Sequence, residues 1–292
     1  MFDDPTSNTS EILVSIFVIL MMLNVGIDLT VGKIRAVFRE PKLLAIGLGL
    51  NYILVPALFY ALVTVFDVNG MWAVGLLFVA VAPGGPVSSV MVQNARGHLA
   101  LTVSLVVVMN LLNTVLTPVG IWLMDAMPTA DGGEQVVFGM IKTILMFQVT
   151  PLAAAMGFRH AFPERAIRLQ PMIERGAKIL LIVVAVGVVA TEIQGLKHLP
   201  WGLIAAVNIG VPISLAVSWW LTPGRTIDKI AISLATPYRS ISVVLLLLAA
   251  WVRDGDAILA AMAYSGTMMW MCLAASGWMR RRVATEASLT PS

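Results

Sequence analysis

Apolar residues along this chain fall into nine segments separated by short polar stretches. Each segment holds roughly 20 residues, the length that an α-helix needs to cross a hydrocarbon core about 30 Å thick. The pattern therefore predicts an all-α polytopic membrane protein with about nine transmembrane helices. The segments cover residues 11–29, 43–66, 71–94, 99–124, 135–157, 177–195, 201–221, 227–251 and 256–279.

Basic residues are sorted between alternate connections of these segments. The connections after the odd-numbered segments hold most of the Lys and Arg, including a basic loop at 158–176. Because such loops stay in the cytoplasm, we predict an extracytoplasmic tail at 1–10 and a cytoplasmic tail at 280–292. The expected location is the cell membrane, which would be the inner membrane of a Gram-negative cell.

The third segment, within 71–94, is interrupted by Pro83-Gly84-Gly85-Pro86. Two prolines and two glycines in succession remove backbone donors and lower helix propensity, so a continuous helix is not expected there. Unwound backbone inside a membrane is tolerated where it is buried in protein or lines a watery cavity. The break therefore predicts a binding site at mid-depth, and a proline kink without a ligand is the alternative.

The eighth segment, 227–251, repeats this interruption around Thr236-Pro237, followed by the cation Arg239. A displacement of five segments reverses the direction of crossing, so the two breaks would be related as inverted repeats over 11–124 and 125–279. Paired interruptions of this kind indicate a secondary transporter working by alternating access.

Composition argues against nucleic-acid binding, metal binding and catalysis. Only 12% of residues are charged, and the basic residues cluster in alternate loops rather than in one patch, so we predict no nucleic-acid partner. The single cysteine and three loop histidines leave no pattern for a metal site or for catalysis, so we predict no enzyme and no cofactor. A channel or a receptor remains the non-carrier alternative.

The stretches 82–89 (APGGPVSS) and 94–102 (NARGHLALT), with 26–30 (GIDLT) ahead of them, resemble the bile acid:sodium symporter family. The resemblance implies ten spans in two inverted five-helix repeats, divided into a panel and a core, with an organic-anion site beside the crossing helices. This chain looks like a nine-span member that lacks the first helix, giving repeats of four and five. The implied partners are a small organic anion and the lipid bilayer.

The resemblance also implies where a sodium ion would bind. The hydroxyl and amide positions of the family fall on Ser88, Ser89, Thr102 and Val106, with Asn51 in the second segment. Ser88, Ser89 and Thr102 could form a residual sodium site, whereas Val106 supplies no oxygen.

The family's carboxylate position falls on Ala235 and its glutamine position on Arg239, so sodium coupling is not expected. We consider two compatible roles for Arg239. Its guanidinium could replace the sodium ion beside the hydroxyls of Ser88, Ser89 and Thr236, or it could bind the substrate anion directly. The alternative for Arg239 is an ion pair with an acidic residue that only holds the helices together. The alternative for the protein is a sodium-coupled symporter of organic anions. The predicted substrate- and ion-binding residues are Asn51, Pro83, Gly84, Gly85, Ser88, Ser89, Thr102, Thr236, Arg239 and Ser240.

Overall fold

A computed structural model describes residues 5–28, 40–85, 87–126, 134–191 and 198–289. Within these ranges the chain is all-helical, and five helices are long and apolar enough to cross a membrane. Three shorter apolar helices accompany them. Pro86, the second proline of the first predicted break, lies outside the described residues.

Eleven helices, α1 to α11, follow one another in the described ranges. They are α1 (Pro5–Asp28), α2 (Pro41–Val65), α3 (Gly70–Ala80), α4 (Val87–Asn94), α5 (Leu99–Leu123), α6 (Glu134–Ala161), α7 (Pro163–Thr191), α8 (Trp201–Leu221), α9 (Thr226–Ala235), α10 (Ile241–Val252) and α11 (Gly255–Leu289).

Two of the long helices contain a wide turn of π-helix. In α2 the π segment is Leu50–Leu54, and in α6 it is Leu145–Val149. Each is followed within two residues by a proline, Pro56 or Pro151, which lacks the N–H that a continuous α-helical ladder would need. A π turn leaves backbone carbonyls out of register with the ladder and is common at functional sites.

The helices pack in two groups. The first contains α1, which packs along α6 and α7. The second contains α11 against α3, α8 against α2 and α9, and α5 against α2, α4 and α9. Apolar side chains of α1, including Phe17, join the two groups, because they lie in one buried cluster with Val107 of α5 and with Leu245 and Leu246 of α10.

Large apolar side chains also cover the outer surface. Ile53, Phe138 and Trp220 are 72%, 70% and 83% exposed, respectively. Exposed apolar surface of this extent is unfavourable in water and suits contact with lipid chains.

The helices extend into three stretches that were predicted as a loop or as tails. The basic segment 158–176 is helical on both sides of Phe162, because α6 runs to Ala161 and α7 begins at Pro163. Its charged side chains lie mostly on an exposed surface, so a helix accommodates them as readily as a loop. The predicted tails also enter helices, since α1 begins at Pro5 and α11 continues to Leu289.

Candidate functional site at the crossing of two broken helices

The two interrupted helices meet at their breaks. The first break separates α3 from α4, and the second separates α9 from α10. Pro83 and Arg239 form an isolated antiparallel bridge between them. The Ser240 N–H donates to the Ala82 carbonyl at 2.8 Å, and the Gly85 N–H donates to the Tyr238 carbonyl at 3.4 Å. The two unwound segments are therefore joined directly, backbone to backbone.

Two glycines of the first break are required by this close approach. Gly84 has φ of +97°, a left-handed conformation that favours glycine over any residue with a Cβ atom. A Cβ atom on Gly85 would lie 2.6 Å from the carbonyl oxygen of Arg239 on the other broken helix. The sequence Gly84-Gly85 thus allows the two backbones to touch.

We expect Gly85→Ala to separate the two breaks and to destabilise the folded protein by about 1–3 kcal/mol, because the added methyl group meets backbone rather than a flexible side chain. The melting temperature of the detergent-solubilised protein measures this effect. Gly266→Ala on α11 is the matched control, since its added Cβ atom has no heavy atom within 4 Å. Equal melting temperatures for the two variants would contradict the close crossing.

The carbonyl groups of the first break are satisfied largely by the facing helix α5. Thr117 donates its hydroxyl to the Val81 carbonyl at 3.0 Å. Asn113 donates its side-chain amide to the Pro83 carbonyl at 2.6 Å, and Asn110 donates to the Gly84 carbonyl at 3.2 Å. These three side chains form a polar stripe on α5 that replaces the hydrogen bonds lost where the helix unwinds.

Arg239 completes this arrangement and is only 2% exposed. Its Nη1 atom donates to the carbonyls of Asn51 and Ala80 at 3.2 and 3.3 Å. Its Nη2 atom donates to the Thr236 carbonyl at 2.7 Å. Ala80 ends α3, Thr236 caps α9, and Asn51 lies in the π segment of α2. The guanidinium therefore sits at the negative ends of two helix dipoles, which favour a cation.

The second break is satisfied by the chain in the same way. Tyr264 of α11 donates its hydroxyl to the Pro237 carbonyl at 2.7 Å. The Tyr238 carbonyl accepts from Gly85, and the Arg239 carbonyl accepts from the Ile241 N–H at 3.0 Å. Every carbonyl from Ala80 to Gly85 and from Thr236 to Arg239 thus has a donor from the chain itself.

Two of the three positions at which this chain lacks the implied sodium ligand, Val106 and Ala235, lie together in an apolar cluster. Ala235 and Val106 pack with Leu105, Met109 and Leu44, and all five are almost fully buried. A sodium ion requires oxygen ligands, and these side chains offer none. These five side chains therefore supply no ligand to a cation beside Ala235.

The predicted hydroxyl ligands make local hydrogen bonds. Ser88 donates to the Gly85 carbonyl at 2.8 Å, Thr102 to the His98 carbonyl at 3.4 Å, and Thr236 to the Ile232 carbonyl at 2.8 Å. Ser89 is half-buried on α4. The guanidinium of Arg239 is thus held by backbone carbonyls, whereas the hydroxyls named for this role in the sequence prediction bond within their own segments.

Two further predicted residues have distinct contacts. Asn51 donates its side-chain amide to the Gly47 carbonyl at 2.8 Å, and its link to Arg239 runs through its backbone carbonyl. The Oδ1 atom of Asn51 is buried and has no hydrogen-bond partner among the described residues. Ser240 is 1% exposed, and its hydroxyl lies 3.5 Å from that of Ser242.

A second charged cluster ties the ends of α5 and α9 together. His98 Nδ1 lies 2.7 Å from Asp228 Oδ1, and the backbone N–H of His98 donates to the Ile227 carbonyl at 3.0 Å. Arg225 donates to the same carboxylate through Nε at 3.0 Å. Among the described residues, Asp228 and Arg239 are the buried charged ones. The partners of Asp228 are His98 and Arg225, whereas Arg239 contacts carbonyls at the crossing, so the two charges belong to separate sites.

Comparison with known proteins identifies the family that this sequence matches. The sequence model of the Sodium Bile acid symporter family matches residues 15–199, which include the first break and its polar partner helix α5. This family consists of membrane transporters and not of enzymes.

Individual relatives are about one quarter identical to the chain over the residues that align. It is 25% identical over 213 residues to a probable sodium/metabolite cotransporter, the chloroplastic BASS2 of rice, covering 71% of this chain and 51% of the relative. It is 24% identical over 189 residues to the human ileal sodium/bile acid cotransporter, covering 62% and 54%. It is 26% identical over 162 residues to the uncharacterized sodium-dependent transporter YocS of Bacillus subtilis, covering 55% and 50%.

The chain therefore spans about half the length of these curated relatives. More than half of the chain matches the family model, and the crossing that we describe lies at the motif 82–89 that first indicated the resemblance. The chain belongs to the sodium bile acid symporter family.

Proposed function

We propose that this protein is a secondary transporter that carries a small organic anion by alternating access and does not require sodium. One observation carries the proposal: the donors of the chain, above all Arg239, satisfy the carbonyls of both breaks. The guanidinium thereby takes the place that a sodium ion from solution would occupy beside these carbonyls. The relatives' names mention sodium. The resemblance implies a carboxylate and a glutamine where this chain has Ala235 and Arg239.

The proposed architecture has nine passes. The α3–α4 and α9–α10 pairs each count as one broken pass, and α1, α2, α5, α6, α7, α8 and α11 count as one each. The helices α1 to α5 and α6 to α11 would form two inverted repeats of four and five passes, which is supported by the antiparallel bridge between the breaks. The distribution of basic residues supports an outer N-terminus and a cytoplasmic C-terminus in the cell membrane.

The two packing groups suggest how access would alternate. We assign α1, α6 and α7 to a panel, and we assign the helices around the crossing to a core. The apolar cluster that contains Phe17, Leu245 and Leu246 joins the groups, and apolar side chains can slide past one another without breaking hydrogen bonds. The amides of Gln148 and Asn110 also link the groups. The direct backbone bonds between the breaks would keep the core rigid while it moves against the panel.

Electrostatics at the crossing favours an anion. The helices α4 and α10 begin at the breaks, so the positive ends of their dipoles face the region where the chain unwinds. The negative ends of α3 and α9 are neutralised by the guanidinium. A carboxylate or sulfonate would therefore meet mostly positive potential at this point.

The guanidinium itself is placed to hold the backbone rather than the substrate. Three of its contacts go to carbonyls, and the residue is 2% exposed. Of the two roles considered for Arg239, replacement of the sodium ion is therefore the one we propose. The predicted site residues Pro83, Gly84, Gly85 and Ser240 would contribute through the backbone of the breaks.

Uptake into proteoliposomes tests the proposal. A panel of radiolabelled carboxylates and sulfonates should be supplied with a sodium gradient, with a proton gradient, and with neither. We expect saturable uptake of at least one anion at equal rates in sodium and choline buffers. Counter-transport, in which unlabelled anion inside accelerates entry of label, distinguishes a carrier from a channel. Uptake that disappears without sodium would overturn the sodium-independent part of the proposal.

A further inference from the structure

Gln148 occupies an unusual position between the two packing groups. It lies in the π segment of α6, on the group formed with α1 and α7, and it is fully buried. Its Nε2 atom approaches Asn110 Oδ1 at 3.3 Å and the Asn110 carbonyl at 3.4 Å. Asn110 in turn bonds to the Gly84 carbonyl in the first break. Gln148 is thus two hydrogen bonds away from the crossing.

The orientation of this pair of amides is determined by the surrounding carbonyls. Asn110 Nδ2 donates to the carbonyls of Gly84 and Val106, so Asn110 must present its oxygen to Gln148. Gln148 must therefore present its nitrogen to Asn110, since the reverse orientation would place two oxygens together. The Oε1 atom of Gln148 consequently points away from Asn110.

That Oε1 atom is buried, and no donor in the described part of the chain reaches it. A second unpartnered group lies on the facing helix: Thr114 follows Asn110 by one turn of α5, is 7% exposed, and its hydroxyl has no partner among the described residues. The helices α5 and α6 pack against each other. An unpartnered acceptor is unfavourable in an apolar environment, so a donor that enters this place gains the full strength of the bond.

We infer that Gln148 is a specificity-determining residue that accepts a hydrogen bond from a hydroxyl or amide N–H of the transported anion. This inference rests on the proposed function. The anionic group would lie at the positive ends of α4 and α10, and the donor group would reach Oε1 between α5 and α6. The substrate is then an organic anion that carries a hydrogen-bond donor, rather than a purely aliphatic acid.

Matched pairs of anions test this inference in proteoliposomes. Isethionate and ethanesulfonate differ by one hydroxyl group, as do 2-hydroxyisovalerate and isovalerate. For wild-type protein we expect kcat/KM to favour the hydroxylated member of at least one pair by about tenfold or more. Gln148→Met, similar in size and without an acceptor, should reduce that ratio to within about threefold by admitting the aliphatic member. Gln148→Asn, which retains an amide at a shorter reach, should give an intermediate ratio.

Asn208→Leu is the control, because Asn208 is an exposed amide on α8 bonded only within its own helix, to the Ile204 carbonyl. Its ratio should match the wild type. Equal uptake of both members of both pairs by wild-type protein overturns the inference, as does an unchanged ratio in a folded Gln148→Met variant. Absence of uptake of every anion defeats the proposed function itself, and the inference with it. If Gln148→Met does not fold, the ratios of the wild type and Gln148→Asn decide.

Discussion

Replacement of Arg239 by glutamine is expected to lower uptake by at least about a hundredfold and to destabilise the folded protein. The substitution removes the donors that three buried carbonyls share at the crossing. Each buried carbonyl left without a partner costs about 1–3 kcal/mol, and a glutamine amide can satisfy at most two of the three. Melting temperature in detergent and initial uptake in proteoliposomes measure the two effects.

Arg280→Gln provides the matched control, because this arginine is exposed near the end of α11. It should behave as the wild type in both assays. Arg239→Lys separates charge from geometry: an ammonium group retains the charge but lacks the planar set of donors, so we expect only partial recovery. Full activity and unchanged stability of Arg239→Gln would contradict the proposed role of the guanidinium.

The double substitution Ala235→Glu with Arg239→Gln is expected to make transport depend on sodium. The arginine's removal frees the carbonyls of Ala80 and Thr236, and the new residues restore the carboxylate and amide that the family resemblance implies at these positions. A carboxylate placed in the apolar cluster around Ala235 is unfavourable unless a cation accompanies it. We expect uptake in sodium buffer to exceed that in choline buffer by about tenfold or more.

Ala235→Gln with Arg239→Gln is the corresponding control, since it offers similar size and polarity without the negative charge. It should show no preference between the two buffers. Sodium should also raise the melting temperature of the Glu-containing variant, because a ligand that binds only the folded state stabilises it. If the folded variant transports equally in both buffers, positions 235 and 239 do not control the coupling ion.

The breaks could be predicted from sequence because their causes are local. Pro83 and the two glycines after it weaken a helix wherever they stand, and Pro237 does so in the second break. That the two breaks touch is also indicated indirectly, since Gly85 is needed only if another backbone comes close. The polar stripe of Asn110, Asn113 and Thr117 could have been recognised from its helical spacing on α5, which points one face at a neighbouring helix.

The partners of Arg239 could not be predicted in this way. A carbonyl group is present at every residue, so no residue type marks the ones from Asn51, Ala80 and Thr236 that the guanidinium contacts. Asn51 contributes because its helix widens into a π turn, and the signal for that turn is Pro56 five residues later. Gln148 stands in a comparable turn before Pro151, which composition and hydropathy alone do not reveal.

A guanidinium that never leaves the crossing changes the energetics of the whole transport cycle. A sodium ion would be carried across with the substrate, whereas Arg239 returns with the protein, so only the charge of the anion is moved per cycle. A membrane potential that is negative inside then acts on the anion alone, by about 2.3 kcal/mol per 100 mV for one charge. That corresponds to an outward bias of roughly fiftyfold in concentration at equilibrium. For a monovalent anion carried without a coupled proton, and present at equal concentrations on the two sides, the proposed mechanism therefore favours export.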